Sequence, residues 1–480
     1  MSEATVSISR LRRQGRVLVV GGGISGLAAA YELSRGGAEV VVAESAERLG
    51  GKLYAGEIAG VPVDFGAESM LARRPEAVAL ARQVGLGEEL QPPATAQAAL
   101  WTRGKLHPMP GGHLMGIPGD LRPLSSSGVL SAAGLARLTL DHLLPRTPLG
   151  DDVAIGEYVA ARLGHEVVDR LVEPLLGGVY AGNSYRISMR VAVPQLFETV
   201  AHGGRSLIES VRKTQRRAAA AAPQEGPVFM GIRGGVGRLP LAVAEACRAE
   251  GAEIRDRTAV RELKRTVRGW QAVVDGPDGR AVLEADAVVL SVPAPVASRL
   301  LSAESPAAAA ELAAVEYAGI ALVTMAFRRR DLLDLPNSSG FLVPPVDGRM
   351  IKASTFASRK WAWIRDASSD TVVLRTSIGR HGKEQDLAWE DTDLVRFSRE
   401  DLEAAIGLTA TPVAVRVTRW DGGLPQYPVG HLQRVARIRE HVAKLPGLAV
   451  CGAAYDGVGI PACIAGAHEA AQRVLNSLRR

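Results

Sequence analysis

Val17-Leu18-Val19-Val20 is an apolar run with no polar interruption and is too short for a helix, so it predicts a strand buried on both faces. Gly21-Gly22-Gly23-Ile24-Ser25-Gly26 follows directly. Apolar positions at Leu27, Ala30, Tyr31 and Leu33 then recur at helical spacing, and the pattern stops at Gly36-Gly37. A second buried run, Glu39-Val40-Val41-Val42-Ala43, closes on Glu44. Residues 17–44 therefore read as one complete β-α-β unit.

The pattern changes further along. Residues 108–119 are rich in Pro and Gly turns, 128–144 form a Leu/Ala-rich helical zone, and 155–176 continue as helix. The polar, Ala-rich stretch 215–225 reads as an exposed helix end or loop. After Val228 the chain predicts a turn and helix over 234–248, a strand at 252–255, and a hairpin around Gly276-Pro277-Asp278-Gly279. Ala287-Val288-Val289-Leu290-Ser291 is another buried strand. Strand-like runs then dominate at 320–326, 341–343, 351–355, 371–374 and 413–417. Leu448-Ala449-Val450-Cys451-Gly452 is a last buried strand, with a helix over 463–478.

These elements define the expected α/β fold. It has a discontinuous Rossmann-like nucleotide-binding domain (15–85, 228–295 and 440–480), a mainly helical insert (86–210) and a β-rich substrate-binding domain (296–439).

Composition narrows the function classes. With 480 residues, 47% apolar and 22% charged, the chain is globular and long enough for several layers. Lys and Arg number 57 against 51 Asp and Glu, and the cations are dispersed, so a nucleic-acid partner is not expected. Three cysteines (Cys247, Cys451, Cys463) without a C-x-x-C pair exclude a disulfide framework and a Cys-based zinc site. The longest apolar stretch, 306–327, is broken by Glu311 and Glu316, and the first ten residues carry no apolar core of a secretion signal. A cytoplasmic protein is expected.

Gly21-x-Gly23-x-x-Gly26 gains meaning from its position between a strand and a helix. Gly21 permits the tight turn, Gly23 lets backbone N–H groups approach a pyrophosphate, and Gly26 lets helix and strand pack closely. Glu44, at the end of the second strand, is placed to accept ribose hydroxyls, with Ser45 beside it. None of the nine histidines forms an H-x-x-H or H-E-x-x-H pair, so no metal is expected, and His431 and His468 read as structural. The run 231–237 resembles a second phosphate loop, but its position suits a turn into a helix.

Glu47-Arg48-Leu49-Gly50-Gly51-Lys52 resembles the second fingerprint of glutathione-reductase-like flavoproteins of the amine-oxidase type. Val63-Asp64-Phe65-Gly66-Ala67-Glu68-Ser69 and 451–460 resemble that group's next two flavin segments. Glu173 to Asn183 (E-P-L-L-G-G-V-Y-A-G-N), 339–344, 353–361 and 420–431 narrow the likeness to the porphyrinogen oxidases.

The resemblance implies FAD as cofactor. Its pyrophosphate would meet Gly21, Gly22, Gly23, Ile24, Ser25 and Gly26, and its adenosine Glu44, Ser45 and Val260. Arg48, Gly51 and Lys52 would hold the phosphate-to-ribityl region. Gly66, Ala67, Glu68, Ser69, Trp420, Ala453, Val458, Gly459 and Ile460 would line the flavin. Cys463 reads as a packed thiol, not a covalent anchor. Gly178 would face the flavin across the substrate, as the candidate catalytic position.

The implied reaction is oxidation of a porphyrinogen to an aromatic porphyrin, with oxygen as acceptor and hydrogen peroxide as product. Coproporphyrinogen III is preferred over protoporphyrinogen IX, because Ala98-Ala99 stands where the human and plant type carries a propionate-binding Arg. Arg74, with Arg73 and Lys105, is the candidate for substrate carboxylates. The zone 130–144 reads as core helix first, with peripheral membrane contact as the alternative that the resemblance implies; the resemblance also implies hand-over of product to a ferrochelatase-type enzyme. An amine oxidase, a carotenoid desaturase or a non-catalytic porphyrin-binding flavoprotein are the alternatives.

Overall fold

The computed structural model describes residues 15–221, 226–332 and 335–479. The first ten residues, and 222–225 of the polar 215–225 stretch, lie outside the described residues.

The β-α-β unit forms as its pattern predicts. Strand Arg16–Val20 runs into helix Ile24–Arg35 and strand Glu39–Ala43. Arg16–Val20 is central in a five-stranded parallel sheet, in the spatial order Glu253–Arg255, Glu39–Ala43, Arg16–Val20, Ala287–Leu290, Leu448–Val450. Period-2 alternation divides the strand between two cores. Val17, Val19, Val40, Val42 and Val289 pack on helices Ile24–Arg35, Arg238–Ala249 and Ile460–Leu478. Leu18, Val20, Val41, Val288 and Leu290 face an antiparallel meander (Ala259–Thr266, Gly269–Gly276, Gly279–Ala285).

Helices Ala294–Leu301, Pro306–Ala313 and His431–Ala443 also belong to that second core, through Leu300, Leu312, Val435 and Ile438. Pro306–Ala313 lies inside the stretch expected to be β-rich and the other two overlap its ends, but their apolar faces pack into the core on the parallel sheet. A buried parallel sheet needs both faces covered, and these helices complete the second.

The β-rich part is a seven-stranded sheet: Ala414–Pro425, Tyr317–Arg328, Thr371–Ile378, Ile351–Thr355, Gly340–Leu342, Ala99–Thr102, Lys105–Pro108. Its last two strands come from before the helical insert. The Ala99–Thr102 strand joins Gly340–Leu342 in parallel, and Trp101 packs edge-on against Phe341 with ring centroids 5.9 Å apart. A boundary at residue 86 therefore divides the chain too early.

The insert has its own core, built on Ile155–Leu163, His165–Val167, a π-helical stretch Val168–Val172, Glu173–Tyr180, Pro194–Ala201 and Leu207–Ala221. A fully buried ion pair pins it: Arg162 Nε donates to Asp141 Oδ1 at 2.8 Å. Asp141 Oδ2 also accepts from Ser206 Oγ (2.6 Å) and the Ile208 N–H (3.1 Å). In the 128–144 zone Leu138 is buried, while Leu140 and Leu143 are exposed. Among the described residues no helix is long and apolar enough to cross a membrane.

Candidate active site

A cavity of about 790 Å³ runs from the first β-α turn to the insert. At its nucleotide end helix Ile24–Arg35 begins at Gly23 without a side-chain cap, so its free N–H groups are available to an anion. A Cβ on Gly23 would meet nothing within 4 Å, so its open side is toward the cavity, where Gly21, Ile24 and Ser25 also lie.

The other two glycines shape the turn and do not line the cavity. A Cβ on Gly26 would sit 1.9 Å from the Gly21 carbonyl oxygen, and Gly22 donates its N–H to Glu44 Oε2 at 2.6 Å. Glu44 also accepts from the Ala46 N–H at 2.7 Å, so its carboxylate is oriented before any ribose arrives. Glu44, Ser45 and Val260 form the adenosine end of the wall.

Gly51, Lys52, Gly66, Ala67, Trp420, Ala453, Val458 and Ile460 also line the cavity. Arg48 does not reach it. Its Nη1 donates to the Leu49 (3.1 Å) and Leu53 (3.3 Å) carbonyls and its Nη2 to that of Gly51 (2.6 Å), while its guanidinium stacks 4.1 Å from the Tyr54 ring. It therefore braces the loop that carries Gly51 and Lys52.

Gly66 is needed because a Cβ there would fall 2.0 Å from the Lys52 carbonyl oxygen. Trp420 is fixed by its Nε1–H, which donates to the Phe65 carbonyl at 3.0 Å. Gly459 and Ser69, expected along the flavin, do not line the cavity; Gly459 immediately precedes the uncapped helix Ile460–Leu478. Cys463 lines it as a thiol whose pKa burial raises, which suits a packed residue.

Glu68 lines the cavity, but its carboxylate is committed to the protein. Lys360 Nζ lies 2.6 Å from Oε1 and Arg375 Nη2 2.9 Å from Oε2. Burial alone would raise its pKa, but Arg375 and then Lys360 outweigh burial and bring it to about 2. Arg375 also donates to the Asp64 (3.1 Å) and Gly66 (2.9 Å) carbonyls, so this cluster sets the flavin-side turn. Asp64 accepts from the Val236 (2.9 Å) and Gly237 (3.0 Å) N–H groups, and burial lifts its pKa to about 7. The 231–237 run is thus a turn fastened to this segment, as its position suggested.

At the far end Gly178 comes from helix Glu173–Tyr180, and a Cβ there would meet Leu342 Cδ2 at 3.5 Å. Val179, Leu342, Ala353 and Leu322 make this end largely apolar.

The expected substrate cations are elsewhere. Arg74 pairs with Glu76 at 2.7 Å, Arg73 and Lys105 are exposed, and none lines the cavity. Lys352 and Arg375 line it instead. Each stands on a strand among apolar and small neighbours (Ile351-Lys352-Ala353, Leu374-Arg375-Thr376), and a cation within such a run was the available signal.

His431 is buried and uncharged, its pKa lowered to about 4 by burial. Among the described residues no group of three or more His, Cys, Asp or Glu side chains is placed to hold a metal.

The residues present fit FAD. An uncapped helix start, an open glycine, an oriented carboxylate, the Gly66–Glu68 turn and the first residue of a second uncapped helix all line one cavity. Comparison with known proteins gives the same result. Residues 24–475 match the family described as flavin containing amine oxidoreductase. The chain is similar to proteins named coproporphyrinogen III oxidase: at 36% identity to that of Mycobacterium tuberculosis (96% of this chain, 97% of the relative) and at 32% to that of Bacillus subtilis (93% and 95%).

The crystal structure of an Exiguobacterium sp. 255-15 protein, named as a candidate protoporphyrinogen oxidase, superposes with a TM-score of 0.85 at 33% identity, covering 96% of this chain and 98% of that one. Cyclohexylamine oxidase from Brevibacterium oxydans shares the fold, with a TM-score of 0.70 at 17% identity, covering 97% of this chain and all of that one. With a family match over nearly its whole length and relatives of this kind, the chain belongs to the flavin containing amine oxidoreductases, in their porphyrinogen oxidase branch.

Proposed function

We propose that this protein is an FAD-dependent oxidase that converts coproporphyrinogen III to coproporphyrin III, using oxygen and releasing hydrogen peroxide. Full-length similarity to several bacterial coproporphyrinogen III oxidases carries the reading. When bound, FAD supplies the electron acceptor and its reoxidation by oxygen.

The chain's own contribution is to bind, orient and exclude water. Gly178 presents bare backbone to the macrocycle, which a side chain would hold away. Val179, Leu322 and Leu342 provide apolar walls for a flat, largely apolar substrate. The uncapped start of helix Ile460–Leu478 directs backbone N–H groups toward the cavity, where they favour negative charge. Aromatisation drives the reaction, so a strong base is not demanded at each proton loss. The reading extends to a cytoplasmic enzyme that passes product to a ferrochelatase-type enzyme, with exposed Leu140 and Leu143 as the candidate contact with a membrane surface.

Protoporphyrinogen IX is the second reading, favoured by the Exiguobacterium likeness and by 30% identity to the Bos taurus protoporphyrinogen oxidase. An aerobic assay of kcat/KM for both porphyrinogens, followed by porphyrin fluorescence and peroxide release, decides between them. A higher value for coproporphyrinogen III is expected. A preference for protoporphyrinogen IX overturns the substrate choice, and no peroxide with either overturns the oxidase.

A further inference from the structure

Lys352 is in an unusual position for a lysine. It lies on strand Ile351–Thr355, is only 6% exposed and lines the cavity at the end occupied by Gly178 and Leu342. Its Nζ contacts the Gly177 carbonyl at 3.4 Å, and among the described residues no carboxylate lies within ion-pair distance. The other cations on the wall are placed differently. Arg375 is paired with Glu68, Arg261 with Asp275, and Arg299 and Lys52 are exposed. A buried ammonium with a carbonyl for a hydrogen-bond partner but no counter-charge is costly, because buried charges are normally ion-paired. Arg380, buried two residues beyond strand Thr371–Ile378 and donating to the Val343 carbonyl at 2.9 Å, adds like charge. Burial first and Arg380 second lower the Lys352 pKa to about 7.

Helix Glu173–Tyr180 ends beside this amine, and a cation there also suits the helix dipole. That contact alone does not require Lys352 to line the cavity, because the Gly177 carbonyl is already satisfied by the Ala181 N–H at 3.0 Å. An anion arriving in the cavity would supply the missing counter-charge. The porphyrinogen of the proposed function carries propionate carboxylates on its rim, and the inference rests on that reading. We propose that Lys352 is the counter-ion for one propionate of the substrate, held where the macrocycle's edge meets Gly177-Gly178 and Leu342.

The test uses the FAD-loaded protein and two probes, coproporphyrin III and its tetramethyl ester, which keeps the ring and removes the charges. Binding is followed by porphyrin fluorescence for wild type, Lys352→Met and Lys352→Arg. Flavin absorbance per chain serves as the check that the cofactor site is intact. Lys352→Met is expected to weaken coproporphyrin III binding by about 10- to 100-fold. The ester should bind wild type and Lys352→Met alike, and Lys352→Arg should recover most of the loss. A purely structural lysine would move both probes together. Equal coproporphyrin affinity in wild type and Lys352→Met overturns the anchor and leaves the oxidase standing. Wild type that binds neither probe overturns the oxidase reading and the anchor with it.

Discussion

Replacing Glu68 by Gln removes one charge from the cluster of Glu68, Lys360 and Arg375 and leaves two cations facing a neutral amide. The folded protein holds the Glu68 pKa at about 2, against an ordinary 4.5. A difference of roughly 2.5 units, at about 1.4 kcal/mol each, gives about 3 kcal/mol of stability from this carboxylate. For 480 residues the unfolding entropy is of the order of 1 kcal/mol per kelvin, so Glu68→Gln should lower Tm by about 3 °C near neutral pH.

The folded pKa lies below the unfolded one, so the stabilisation is complete above about 4.5 and is lost as pH falls toward 2. The gap between wild type and Glu68→Gln should therefore be constant near neutrality and shrink as acid is added. Flavin-free protein is required, because bound FAD stabilises by mass action. Calorimetry or urea unfolding at several pH values reads the gap. Equal stabilities near neutral pH, or a gap unchanged down to about pH 3, would refute the reasoning.

Two further changes test other parts of the structure. Gly26→Ala places a Cβ 1.9 Å from the Gly21 carbonyl oxygen and 2.4 Å from Ser291 Oγ. The turn must open, and the purified protein should lose most of its flavin absorbance, whereas normal yellow protein would contradict the packing described. Asp141→Ala leaves buried Arg162 uncompensated and orphans Ser206 Oγ and the Ile208 N–H. It should cost about 3–5 kcal/mol and expose the insert to limited proteolysis first, while a wild-type cleavage pattern would show that the ion pair does not hold the insert together.

The nucleotide module was legible because its signals are local: Val17 to Val20 cannot be amphipathic helix, and glycines at fixed spacing have few other uses. Most wall residues named from the motifs are on the wall. The differences at charged residues share one cause, since backbone pattern does not tell where a charged side chain ends. Arg48 curls back onto three carbonyls, and Glu68 is claimed by Lys360 and Arg375, which are far away in sequence. Arg74 is near the flavin turn in sequence but pairs with Glu76, two residues on. For Lys352 the apolar and small neighbours are a signal, but a strand pattern does not say which wall the lysine faces until the fold is known. Long-range partners also explain the misplaced boundaries, because the Ala99–Thr102 strand declares its sheet only when Gly340–Leu342 lies beside it.

The order of strands in the parallel sheet has a consequence for how the protein is made. Arg16–Val20 leaves the ribosome first, yet its neighbour Ala287–Leu290 and the closing strand Leu448–Val450 come far later. At 5–20 residues per second, synthesis from residue 20 to residue 448 takes roughly 20–90 s. Until residue 290 the first β-α-β unit carries the unpaired apolar edge of Arg16–Val20, and from then until residue 450 Ala287–Leu290 carries one in its place. The nascent chain thus keeps one unpaired apolar edge until nearly all of the described strands are made. Holdase chaperones, and flavin supply at the moment of release, should govern the yield of folded protein more than the strength of any single contact in the finished fold.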